Sequence, residues 1–262
     1  MSNVGLTILG IGIIFVATTA GAALVFFFKK EISEKLNTVF LGFAAGIMIA
    51  ASVWSLLIPS IEGASSWGKR SFLPAVIGFM LGGLFLVVLD KVIPHFHAGT
   101  GQEEGPHTSL QKPVKMFFAV TIHNIPEGLA VGFAFGGAAV IGTKEAFLSA
   151  LGLAIGIAIQ NFPEGAAVSL PLKKATGSTG KSFLFGMGSG AVEPVAALFG
   201  YFLAAGLTKA QPWLLAFAAG AMIFVVAEDL IPDAKLSEHS HLGTWGVMVG
   251  FAVMMALDVA LG

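Results

Sequence analysis

The chain has 262 residues, 56% hydrophobic and 11% charged, with a net charge of −1 and a mean hydropathy of +0.88. Soluble domains carry roughly 25% charged residues, so a soluble globular protein is excluded and a polytopic membrane protein is expected. A near-neutral charge gives no basis for a nucleic-acid partner, and the absence of cysteine excludes thiolate metal sites and disulfides.

About 20 mostly apolar residues cross a bilayer. On that measure the chain predicts eight spans, at 4–28, 38–60, 72–94, 114–136, 145–170, 182–206, 211–231 and 243–261. No lysine or arginine precedes the first, which reads as a helix rather than a cleaved leader. The 34 glycines suit close helix packing in lipid. Span two carries Met48, for which the ordinary reading is core packing. The one long connection, 95–113, holds His95, His97, Glu103, Glu104 and His107, and reads either as a solvated linker or as a metal landing zone. His239 and His241, after span seven, pose the same choice.

Span four contains His123-Asn124-Ile125-Pro126-Glu127-Gly128, and span five a near copy, Gln160-Asn161-Phe162-Pro163-Glu164-Gly165. His123 and Glu127, like Gln160 and Glu164, are four apart and share one helix face. Pro126 and Pro163 predict kinks that free the carbonyls of Ile122 and Ile159. Such backbone survives at membrane depth only where protein or a wet cavity satisfies it. The strings start 37 residues apart in consecutive, oppositely directed spans, so they form a local inverted pair. Transporters place binding sites between such repeats. No second repeat of comparable clarity stands out.

Span six adds Glu193 beside Pro194, and span seven adds Glu228, Asp229 and Asp233 around Pro232. For Glu228 and Asp229 a solvated position near the helix end is an open alternative. Buried carboxylates without a basic partner must be protonated or bind a cation. Imidazole, carboxylate and amide ligands together suit Zn²⁺, Fe²⁺ or Mn²⁺ better than Mg²⁺ or Ca²⁺. The residues thus point to a transition-metal site inside an all-α membrane protein, with no organic cofactor called for. Lysine and arginine divide ten to four between the two faces, which predicts both termini outside the cytoplasm.

The His-Asn-x-Pro-Glu-Gly string, reinforced by its copy, resembles the signature of the ZIP (Zrt/Irt-like protein) family, especially its short prokaryotic members. The resemblance runs through nearly the whole chain. It implies a multi-pass importer of the cell membrane that carries divalent metal, typically zinc, with cadmium, iron and manganese as further candidates. It also implies a homodimer and alternating access of an elevator type. Carried over by position, a binuclear site would take His123, Glu127, Gln160, Glu164 and Met48 for one ion, and Asn124, Asn161 and Glu193 for the second, with Glu127 and Glu164 bridging. Glu62, Asp258 and Ser55 would line the outer path, and Asp90, His95, His97, Glu228, Asp229 and Asp233 the inner exit. Relatives often carry Asp where this chain has Asn161, and His-Glu where it has Glu228-Asp229. A fixed-pore conduit is the nearest rival reading. An intramembrane metal hydrolase would need an open coordination position and a free general base, as in His-Glu-x-x-His, and that string is absent.

Overall fold

In a computed structural model of the chain, residues 1–28, 32–96, 103–234, 236 and 241–261 are described. Eight helices among them are long and apolar enough to cross a membrane: α1 Asn3–Phe26, α2 Glu34–Gly63, α3 Phe72–Val92, α4 Lys112–Ile141, α5 Lys144–Thr176, α6 Thr179–Gly206, α7 Thr208–Asp233 and α8 Leu242–Leu261. The protein is an all-α, multi-pass membrane protein. Helices α4 and α5 outrun their apolar cores. Helix α5 passes Pro171 and ends only at Gly177, whose φ of 63° is the left-handed conformation glycine tolerates. Its last turn is held in part by the Lys173 ammonium, which donates to the carbonyls of Val25 and Phe28 at 3.0 and 3.2 Å beyond α1's main body.

The helical backbone runs on through both Pro126 and Pro163. Departures from regular α geometry fall elsewhere. Helix α2 contains a π-helical turn at Ser52–Leu57, and α7 one at Val226–Leu230. Helix α6 breaks at Ala191, so that Glu193 lies in the first turn of its second half. Single π turns inside α-helices recur at functional sites.

Both π turns stand directly before a Leu-Ile-Pro or Ile-Pro step, and this exposes a repeat that the sequence reading missed. Residues 43–49 (FAAGIMI) recur as 217–223 (FAAGAMI), and Leu57-Ile58-Pro59 as Leu230-Ile231-Pro232. Gly78, Met80, Gly82, Leu89 and Asp90 of α3 likewise match Gly246, Met248, Gly250, Leu257 and Asp258 of α8. Packing follows the same correspondence. A Cβ at Gly46 would strike the Val247 carbonyl, and one at Gly220 the matching Phe79 carbonyl. Gly250 abuts the carbonyl of Phe43 as Gly82 abuts that of Phe217. Helices α2 and α8 therefore pack as α7 and α3 do, backbone against backbone, which only residues without a side chain permit.

Helix α1 packs along α5, and α6 along α4. The interior between these four pairs is fully buried, with Ile47, Met48, Phe135, Leu153, Ile157 and Met222 among its largest members. The connection before α4 is more ordered at its ends than a solvated linker. His95–Phe96 pairs antiparallel with Glu103–Glu104, and Lys115 donates to Glu103 at 2.8 Å. That bond holds the Glu103 carboxyl below its ordinary range.

If the glycine contacts set the helix spacing, Gly46→Val and Gly82→Val should each destabilise the protein by about 1–3 kcal/mol through overpacking. Gly12→Val, which has open space at its Cβ, should not. Thermal unfolding of the three variants in one detergent checks this. A loss of stability in Gly12→Val equal to that of the other two would refute it.

Candidate functional site

The near-identical strings of α4 and α5 face each other at mid-depth. Asn124, Glu127, Gln160, Asn161 and Glu193 are all at most 1% exposed, while His123 and Glu164 are half-buried. No lysine or arginine occurs between Lys115 and Lys144, or between Lys144 and Lys173, so neither helix offers a basic partner at this level. The side chains organise themselves by amide-to-carboxylate bonds instead. Gln160 Nε2 donates to Glu127 Oε1 at 2.6 Å, and Asn161 Nδ2 to Glu193 Oε2 at 2.7 Å. Asn124 Nδ2 donates to the Ser189 carbonyl at 2.9 Å.

Committing every amide N–H₂ in this way turns the amide oxygens the other way. Among the described residues, Asn124 Oδ1, Glu127 Oε2, Gln160 Oε1 and Asn161 Oδ1 are buried acceptors with no donor. Buried polar atoms are normally paired. Four unpaired acceptors on two neighbouring helices, with no lysine or arginine from either helix at this level, form a site that a cation would satisfy.

A cavity of about 530 Å³ leads to this cluster. Met48, His123, Glu127 and Glu164 stand at its inner end, and Asp229 and Asp233 on its wall. Its mouth lies at the starts of α2 and α4 and the ends of α5 and α7, where it reaches Glu34, Asn37 and Pro171. His123 Nε2 lies 2.9 Å from Asp229 Oδ2. Among the described residues, no three His, Asp or Glu side chains are already gathered at metal-ligand spacing.

The remaining expected residues divide between the two faces. Ser55 donates to Asp258 Oδ1 at 2.5 Å between α2 and α8, and Glu62 is exposed. At the opposite face His95 is buried, its Nδ1 2.8 Å from the Ile93 carbonyl and its Nε2 3.7 and 3.8 Å from Asp90 and Glu104. Glu228 is not with Asp229. It lines a second cavity of about 570 Å³, which it shares with Asp90, Glu103, Glu104 and His107. His97 and His239 lie outside the described residues.

A family model described as "ZIP Zinc transporter" matches residues 4–116 and 113–258. The zinc transporter ZIP11 of Homo sapiens is 38% identical, over all of this chain and 98% of its own length. The zinc transporter ZIPB of Bordetella bronchiseptica is 38% identical, over 99% of this chain and 82% of its own. The zinc transporter GufA of Myxococcus xanthus is 36% identical, over 89% and 90%.

Thr18 of α1 belongs to the site and gave no signal in the sequence beyond a hydroxyl in an apolar run. It is 2% exposed and its Oγ1 lies 2.9 Å from Glu193 Oε1. Backbone packing explains its placement: a Cβ at Gly165 would strike the Thr18 carbonyl, as one at Gly128 would strike that of Glu193. Thr18 therefore faces α5 as Glu193 faces α4. Replacing it by the near-isosteric valine leaves a carboxylate oxygen without its partner. Thr18→Val should lower stability by about 1–3 kcal/mol, read as a fall in the unfolding midpoint in detergent. An unchanged midpoint would show that the hydroxyl does not support Glu193.

Proposed function

We propose, from the premise that this chain belongs to the ZIP zinc transporter family, that it imports divalent metal, with zinc as its principal cargo, by alternating access. The family is one of transporters and not of enzymes. The carrying observation is the cavity that opens at one face and ends on His123, Glu127, Glu164 and Met48, beside four buried acceptors without donors.

The chemistry of these ligands suits a borderline transition metal. Imidazole, two carboxylates, an amide oxygen and a thioether form a mixed N/O/S set that a hard cation such as Mg²⁺ has no reason to prefer. In the arrangement described, Glu127 is fixed by Gln160, while Glu164 and His123 keep access to the cavity. An arriving ion would draw Glu164 and His123 onto Glu127, with the Gln160 oxygen completing the set. A second ion beside it would have to replace the amide proton of Asn161 on Glu193.

The shape favours a carrier over a fixed pore. On the far side of Met48 and Glu127 the bundle is closed by fully buried Ala50, Ala51, Leu153, Ala154 and Ile157, and then by the Ser55–Asp258 bond. Access from that side requires these contacts to part, which is the second state of an alternating cycle. The cavity mouth lies on the lysine-rich face, and the positive-inside rule puts that face in the cytoplasm. The inward-open state described here is then the one that releases cargo, past Asp229 and Asp233.

Zinc uptake into proteoliposomes tests the reading. Wild type should show saturable uptake. His123→Ala, Glu127→Ala and Glu164→Ala should each reduce kcat/KM at least about tenfold while eluting as folded protein, because each removes a metal ligand worth more than ~1.4 kcal/mol. Undiminished uptake in all three variants would refute this site, and single-channel zinc currents would refute the carrier.

A further inference from the structure

The internal repeat compares two halves of one site, and they differ where cargo leaves. Superposing the paired strings matches His123 with Gln160 and Glu127 with Glu164. Matching Leu57-Ile58-Pro59 with Leu230-Ile231-Pro232 sets Leu56 of α2 against Asp229 of α7. On the closed half, Gln160 donates to Glu127 at 2.6 Å, and Leu56 is fully buried and has no polar group to offer. On the open half, the residue corresponding to Gln160 is His123, and its Nε2 is engaged by Asp229 at 2.9 Å. Asp229 lines the cavity while its neighbour Glu228 lines the other, as successive residues of one helical turn point in different directions.

One imidazole nitrogen cannot both carry the proton of a hydrogen bond to a carboxylate and give its lone pair to a metal. We propose that Asp229 is a positioning residue for release: in the inward-open state it competes with the bound metal for His123 Nε2 and so loosens the cargo. The inference rests on the cargo site proposed above. The competition is confined to one side of the cycle, because the repeat carries leucine at the equivalent place on the other. Cargo would therefore be held by a full ligand set while the cavity is closed, and by a set short of its imidazole once α7 lines an open mouth. Asp229 is already placed on the cavity wall, so the carboxylate that pulls His123 away also stands on the route out.

The test uses the intact transporter, with zinc as the probe. Asp229→Leu installs the residue of the other half, and Asp229→Asn keeps the volume while removing the charge. Equilibrium zinc binding in detergent and proteoliposome kinetics are measured for both, with His123→Ala and the double variant His123→Ala/Asp229→Leu. Competition predicts that each Asp229 variant binds zinc more tightly, by about tenfold for a contacting pair. It also predicts that kcat and KM fall together, and that Asp229→Leu adds nothing once His123 is gone. A merely structural role would not move kcat and KM in this coupled way. Weaker zinc binding, of the size seen in His123→Ala, would make Asp229 a ligand and overturn the proposal. Unchanged binding and kinetics in both Asp229 variants, with His123→Ala impaired, would overturn it while leaving the cargo site standing. Unimpaired binding in His123→Ala would instead remove the cargo site itself, and the proposal with it.

Discussion

The structure depends on a shortage of hydrogen-bond donors at mid-depth in the bilayer. Three carboxylates and three amides stand together on α4, α5 and α6, and neither α4 nor α5 brings a lysine or arginine to them. Each amide gives its N–H to a carboxylate or a carbonyl, which leaves its own oxygen unsatisfied. In a low-dielectric interior that is costly unless something positive enters. The cavity, the glycine-lined helix contacts and the break in α6 follow from that requirement: the cluster must be held rigidly, and one side of it must be reachable.

The repeat also makes the scaffold rigid. The helix pairs α2/α8 and α7/α3 are each closed by glycines against carbonyls, backbone on backbone. Irregular backbone is concentrated where these pairs meet the site, in the π turns of α2 and α7. One turn places Ser55 against Asp258 and the other places Asp229 against His123. The halves share a backbone plan and differ in side chains, leucine against aspartate and glutamine against histidine. This is how a nearly symmetric scaffold can acquire chemically unequal sides.

Much of this was legible in the sequence, for identifiable reasons. Hydropathy marks spans well because lipid leaves no other way to satisfy the backbone, and all eight appear. The paired Asn-x-Pro-Glu-Gly strings located the central cluster because an ionisable residue in an apolar run is conspicuous. What was missed lacked that contrast. Thr18 is a modest hydroxyl recruited by a packing contact at Gly165, which no local pattern encodes. The α2/α7 and α3/α8 repeats retain mainly apolar residues with a few glycines, which are common everywhere in such a chain. Apolarity ends the fifth span at 170, whereas α5 continues past Pro171 to Thr176 with Lys173 tied to the end of α1. Glu228 and Asp229 are neighbours in sequence and look like one exit group, yet the rotation between successive helical residues assigns them to different cavities.

The central claim is that cargo binds at the inner end of the large cavity, and anomalous X-ray scattering addresses it without relying on transport. Crystals grown with zinc, measured on either side of the zinc absorption edge, should show an anomalous peak within coordination distance of Glu127, Glu164 and the Gln160 oxygen, lost in Glu164→Ala. A fully occupied peak only around Asp90, His95 and Glu104, with none at Glu127, would contradict the account and move the binding site to the protein's surface.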